Sequence, residues 1–257
     1  MTNPITRFFA QTWAMLAASL GFCIIVVPVT LLCSPLPLRL RLSLVSPFWG
    51  FFSRFAIKYI CWSPLYAEDH RQPELRTYPP TGLYISNHQS YVDIPLMLTQ
   101  YQVLPIMKKE VVYLPVFGIL AVAAGALPVS RGKRDSRKKV FIAARKRLVD
   151  DKFSLQYYPE GTRSRTGAPK PYTDIKITLI QLAYENQVPV IPISMYGTQK
   201  VLSKQGMLNP GQKLGIITHQ AVLPKDYADA NSFAQACWRQ VLSGYSQLEQ
   251  KLGPQQS

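Results

Sequence analysis

The sequence predicts an α/β fold, a single mixed sheet flanked by helices and preceded by an N-terminal helical hairpin. Two observations predict it. Strand-like runs alternate with helical periodicity after about residue 66, and an almost charge-free apolar region precedes them. In chain order, residues 77–82 carry loop signals (Pro79-Pro80-Thr81-Gly82). Residues 82–86 read as a short strand and 87–90 as a turn. Tyr91 onward reads as an apolar helix with Pro95 near its start. Further strand-like runs fall at 103–107, 126–130, 153–158, 188–195 and 213–218, with helical patterns at 134–151 and 175–186. Pro189 and Pro192 point to an edge or irregular strand at 188–193, because proline donates nothing to a ladder. The tail from Gly253 is expected to fray.

The first 66 residues are expected to form a membrane-associated hairpin, leaving 67–257 as the globular domain. No charge occurs between Phe8 and Leu38, and residues 13–33 are long enough to cross a bilayer as a transmembrane helix. A single Arg before so long a run does not make a signal peptide. Residues 42–65 are again apolar, with Phe48, Trp49, Phe51, Phe52, Phe55, Tyr59 and Trp62 interleaved with Arg54 and Lys58. That composition suits a helix in the headgroup layer. Arg39 and Arg41 would stay cytoplasmic, putting the globular domain on the cytoplasmic face, the inner membrane in a bacterium. A re-entrant hairpin and a single span both fit.

The formal net charge of +15 implies an anionic partner: nucleic acid, anionic lipid or a phosphorylated substrate. Nucleic acid is not expected, because the aromatics gather in the apolar region and not in a basic groove. Cys23, Cys33, Cys61 and Cys237 have no metal-ligand spacing and are expected to be reduced. No metal is expected, for no H-E-x-x-H or Cys/His pair is present.

Asn87-His88-Gln89-Ser90-Tyr91-Val92-Asp93 is the most informative stretch. A histidine beside a carboxylate makes a positioned general base. On one continuous helix, five residues span roughly 500°, so the side chains would diverge. They meet only if His88 lies on the turn before the helix and Asp93 in its first turn. The plainer reading is a helix-start histidine with Asp93 as a cap.

Three further patterns follow in order. Lys108-Lys109-Glu110 leads to Pro115, Gly118, Gly125 and Arg131; next come Tyr158-Pro159-Glu160-Gly161-Thr162-Arg163-Ser164 and Val188-Pro189-Val190-Ile191-Pro192-Ile193. With these four motifs the chain resembles the glycerophospholipid acyltransferase family, whose best-known members are the 1-acyl-sn-glycerol-3-phosphate (lysophosphatidic acid) acyltransferases. The likeness covers roughly residues 80–195, with Tyr158 where phenylalanine is usual.

The resemblance implies a membrane-bound enzyme of phospholipid biosynthesis. It would move a fatty acyl group from acyl-CoA or acyl carrier protein to the sn-2 hydroxyl of 1-acyl-sn-glycerol-3-phosphate, giving phosphatidic acid. Another lysophospholipid or a lyso-aminolipid is the alternative acceptor. His88 would be the base and Asp93 its orienter. The substrate hydroxyl attacks, so no protein nucleophile or cofactor is needed, and no G-x-S-x-G elbow is present. The resemblance places Glu160, Gly161, Thr162 and Arg163 at the glycerol-phosphate headgroup. Arg131 would be a second phosphate ligand, and Glu160 alternatively an internal salt bridge to an arginine. Lys108 or Lys109 would face the oxyanion or the donor. The last motif reads as packing more than chemistry.

The densest charge lies between the second and third motifs: Arg131, Lys133, Arg134, Arg137, Lys138, Lys139, Arg145, Lys146 and Arg147. It reads as a solvated helix face or as contact with anionic headgroups or donor phosphates. A hydrolase using His88 to activate water is the rival enzyme class.

Overall fold

The computed structural model describes residues 19–72, 81–113, 117–129, 134–203 and 205–253, with positions 9, 12, 13, 16 and 17. Helix α1 (Val27–Cys33) continues a π-helical turn, Phe22–Val26, and α2 (Leu38–Phe55) runs on into another, Ala56–Ile60. Then come β1 (Leu65–Asp69), β2 (Leu83–Ser86), α3 (Asp93–Leu98), β3 (Leu104–Lys108), α4 (Phe117–Ala123) and β4 (Leu127–Val129). The chain continues through α5 (Arg134–Arg145), β5 (Leu155–Tyr157), α6 (Thr178–Glu185), β6 (Val190–Tyr196), α7 (Thr198–Val201), β7 (Leu214–Thr218) and α8 (Ala230–Leu252).

The seven strands form one mixed sheet in the order β1-β7-β6-β2-β5-β3-β4. All neighbours are parallel except β6 and β7, which run antiparallel. Parallel strands covered on both faces need continuous apolar runs, and every residue of β2, β6 and β7 is buried.

The 188–193 segment decides between two expectations. β6 is an interior strand and not an edge, whereas the irregular-strand alternative holds, because its pairing with the β7 side is interrupted at Pro192. Pro192 is tolerated there because its carbonyl accepts the His219 N–H at 3.0 Å just past the last β6–β7 pair, Ile193–Thr218. Pairing resumes only at the isolated Val190–Val222 bridge, so Pro192 borders a bulge, where a missing donor is tolerated. The boundary after residue 66 falls inside β1, where Leu65 and Tyr66 pair with Leu214 and Gly215.

Helix α8 covers the sheet. Asp229 caps it, its carboxylate accepting the N–H groups of Asn231 and Ser232 at 2.8 Å each. Phe233, Cys237, Trp238, Val241, Tyr245 and Leu248 form its buried face, at the spacing of one helical stripe. Burying a side chain such as Phe233 or Trp238 contributes about 3 kcal/mol. Gly244 sets the approach: a Cβ there would lie 2.4 Å from both Ser194 Oγ and His219 Nε2.

The N-terminal helices pack on each other and on the sheet domain. Val26, Val45, Trp49 and Leu120 share one apolar cluster, and Trp49 Nε1 donates to Thr30 Oγ1 at 3.2 Å. The arginines of α2 dock on carbonyls of the α/β body: Arg39 on Asp151, Arg41 on Ala123 and Arg54 on Thr99. Leu40, Leu44, Phe48 and Phe51 lie on the opposite, exposed face. Among the described residues no helix is long and apolar enough to cross a membrane. The span expected over 13–33 is therefore not found there, and its earliest positions lie partly outside the described residues.

Candidate active site

Strands β6, β2, β5, β3 and β4 are parallel, so their C-terminal ends share one edge of the sheet, the usual place for ligands in such sheets. The sequence motifs converge there because each follows one of these strands. His88 lies two residues past β2. Residues 158–163 follow β5, and Lys108 ends β3. Arg131, two residues past β4, lies outside the described residues, as does Lys133.

His88 Nδ1 lies 2.7 Å from Asp93 Oδ2, with His88 on the turn and Asp93 opening α3. The same oxygen accepts the N–H groups of Gln89 at 2.7 Å and Ser90 at 3.0 Å. The expected adjacency is present, and the carboxylate holds the turn before the helix, without capping the helix itself, while it partners the imidazole. Asp93 is fully buried, whereas His88 keeps 15% of its side chain exposed. Asp93 Oδ1 accepts the hydroxyl of Thr198, at the start of α7, and Thr198 Oγ1 also lies 3.1 Å from Gln89 Oε1. Asn87 ties the turn to β6, donating to the Met195 carbonyl and accepting its N–H at 2.8 Å each.

The third motif grips His88 by its backbone. Glu160 Oε1 accepts the His88 N–H at 3.1 Å, and the Ser164 N–H donates to the His88 carbonyl at 2.7 Å. Glu160 is 3% exposed, and among the described residues its contact is this backbone N–H and not an arginine; Arg131 lies outside them. Its Oε2 is buried without a partner. Burial pushes the Glu160 carboxyl up to about 8; the His88 N–H and Lys170 oppose the rise, and Asp93 adds to it. Most of this group is therefore neutral at pH 7. The Tyr158 ring stacks on the His88 ring, with centroids 4.1 Å apart and planes 22° apart.

Gly161 adopts φ +66, the left-handed region, and a Cβ there would meet the Lys176 side chain, with Nζ 3.5 Å away. Thr162 is exposed and Arg163 half-buried. The Arg163 guanidinium lies 4.1 Å from the Tyr91 ring centroid. Lys108 and Lys109 are exposed, and Lys108 pairs with Glu110 at 3.4 Å, so neither touches the His88–Asp93 pair.

An apolar cleft of about 670 Å³ lies between α2, α3, β3 and α4, with Val45, Trp49, Ile94, Leu98, Leu104 and Met107 in its wall. A smaller cavity of about 200 Å³ shares Ile94 and Leu98 with it and reaches Tyr158, against the imidazole.

With Nδ1 hydrogen-bonded to a buried carboxylate, the basic nitrogen is Nε2, for which the described residues supply no hydrogen-bond partner. The arrangement can take a proton from a hydroxyl placed at Nε2 and hold the resulting imidazolium. Thr198, Asn87 and Tyr91 are the supporting residues that sequence reasoning did not single out. Asn87 and Tyr91 sit inside the motif itself, whereas nothing local marks Thr198.

Comparison with known proteins agrees with this geometry. The family model described as Acyltransferase matches residues 69–196. A chloroplastic 1-acyl-sn-glycerol-3-phosphate acyltransferase of Brassica napus is 33% identical over 144 residues, 54% of this chain and 40% of that protein. The Haemophilus influenzae protein of the same name is 27% identical over 52% of this chain and 56% of its own length. The match thus spans about two-fifths to just over half of these relatives. The crystal structure of the Thermotoga maritima 1-acyl-sn-glycerophosphate acyltransferase PlsC shares the fold, with a TM-score of 0.75 at 23% identity, covering 95% of this chain and 98% of that one. From the motifs at one sheet edge and the family match over 69–196, the chain belongs to the acyltransferase family.

Proposed function

We propose that this chain transfers a fatty acyl group from a thioester to the sn-2 hydroxyl of 1-acyl-sn-glycerol-3-phosphate, giving phosphatidic acid. The observation that carries the reading is the 2.7 Å His88–Asp93 contact beside a guanidinium and an apolar cleft. His88 Nε2 takes the hydroxyl proton as oxygen attacks the thioester carbonyl. Asp93 holds the tautomer and stabilises the imidazolium, which then returns the proton to the departing thiolate. Arg163, with Thr162 and the Gly161 backbone, receives the phosphate, for a planar guanidinium matches phosphate oxygens in pairs. Glu160 supports the His88 turn. The apolar cleft takes a hydrocarbon chain. The donor is acyl-CoA or acyl carrier protein.

The work is done at a membrane surface. Leu40, Leu44, Phe48 and Phe51 of α2, together with Ile24 and Leu32, form an exposed apolar face that soluble monomers seldom carry. Basic residues of α5 add attraction to anionic lipid at about 1 kcal/mol each.

The test is purified full-length protein with acyl-CoA and acyl carrier protein donors and a panel of lyso-lipid acceptors, the products read by mass spectrometry. The highest kcat/KM is expected for the phosphomonoester acceptor. A higher value for a larger headgroup or an aminolipid would reassign the acceptor. Release of free fatty acid without acceptor would replace transfer by hydrolysis.

A further inference from the structure

Tyr91 lies in the turn between His88 and Asp93, and its side chain takes no part in their hydrogen bonds. It is 47% exposed, although it lies in the turn that carries the buried Asp93 carboxylate. Its face carries the Arg163 guanidinium at 4.1 Å. Among the described residues no carboxylate or carbonyl is recorded against that guanidinium, so the ring is the contact that orients it. A cation held flat on a ring keeps its N–H edge free for an anion, whereas one paired with a carboxylate has that edge filled. The backbone adds to the coupling. Ser164, next to Arg163, donates to the His88 carbonyl at 2.7 Å, so both ends of the Arg163–Tyr91 contact are built on the turn that holds His88.

We propose that Tyr91 is a positioning residue for the acceptor: its ring holds the Arg163 guanidinium at a fixed offset from His88, so that a bound phosphate presents its neighbouring hydroxyl to Nε2. This rests on Arg163 receiving the phosphate, as proposed above. The ring face carries the role, and the phenol oxygen has no part in it.

The test is steady-state kinetics of the full-length enzyme, varying 1-acyl-sn-glycerol-3-phosphate at saturating acyl donor and then the donor at saturating acceptor, for Tyr91→Ala, Tyr91→Phe, Arg163→Ala and the Tyr91→Ala/Arg163→Ala double variant. Thermal melts check that each is folded. Tyr91→Ala should raise the acceptor KM about three- to tenfold, the range of a partly exposed cation–π contact, with the donor KM unchanged. Tyr91→Phe should restore the wild-type acceptor KM. In the double variant, removing Tyr91 should add less than twofold to the effect of Arg163→Ala. Tyr91→Phe behaving like Tyr91→Ala, or full additivity in the double variant, overturns the positioning role and leaves Arg163 as phosphate ligand. An unchanged acceptor KM in Arg163→Ala overturns both.

Discussion

All three histidines of this protein lie 3.0 Å or less from a side-chain oxygen, His70 from Glu68 of the edge strand β1 and His88 and His219 further inside. Of the inner two only His88 has the surroundings of a base. His88 lies 2.7 Å from the buried Asp93 carboxylate and stacks on Tyr158, which lines an apolar cavity. His219 lies 2.8 Å from Ser194 Oγ, a spacing that by itself suggests a base and a nucleophile. Yet the Ser194 hydroxyl also reaches the Val241 carbonyl at 2.9 Å, and Gly244 of α8 presses on both groups. Among the described residues no carboxylate backs His219. Burial, with the neighbouring His70, lowers its pKa to about 4, so it stays neutral where His88 has a counter-charge waiting. A short contact does not define a base, and neither does the exposed His70–Glu68 pair; what sets His88 apart is a carboxylate that is fully buried, next to a ring that borders a cavity.

The largest effect should come from His88→Ala. Loss of the general base should lower kcat by about 10²–10⁴-fold with the fold retained, measured by kinetics and a thermal melt. A wild-type rate would erase the distinction between the two histidines. Asp93→Asn should follow, lowering kcat about 10²-fold or more while the side-chain oxygen still accepts the Gln89 and Ser90 N–H groups. Retained activity there would show that the carboxylate caps the turn and does nothing further. Ser194→Ala should change kcat less than twofold and cost about 1–3 kcal/mol of stability in denaturant titrations, because it strands polar partners under α8. A collapse of activity would make the buried pair functional after all.

The finest test uses pH. His219 is depressed from 6.5 to about 4, so its contribution is present above pH 6.5 and lost as pH falls toward 4. Glu160 is raised from 4.5 to about 8, so its contribution is present below pH 4.5 and lost as pH rises through 8. Melting temperatures across this range should show His219→Gln flattening the acid side and Glu160→Gln the alkaline side. The opposite pattern would reverse both assignments.

How much of this was legible in the sequence depended on separation along the chain. His88 and Asp93 are five residues apart, so turn geometry alone brings them together. Arg163 was legible by residue type beside a glycine. Thr198 was not, because its contact with Asp93 spans 105 residues and depends on β6 ending beside β2. Six of the seven strands were readable as apolar runs. β1 escaped because Glu68 and Asp69 break the pattern in a short edge strand. Helix α8, the longest described, was left unassigned. Small residues, Ala234 and Gly244, dilute its apolar stripe where it comes nearest the sheet. Pro192 leaves edge and irregular strand equally open in the sequence, because only the register shows that the neighbouring ladder is interrupted there inside the sheet.

One side of α2 walls the apolar cleft through Val45 and Trp49, and the other bares Leu40, Leu44, Phe48 and Phe51. A single helix is therefore both lining and outer skin. Trimming the chain back past it would leave the cleft open along one flank, and solvent would flood the apolar space proposed above for the hydrocarbon chain.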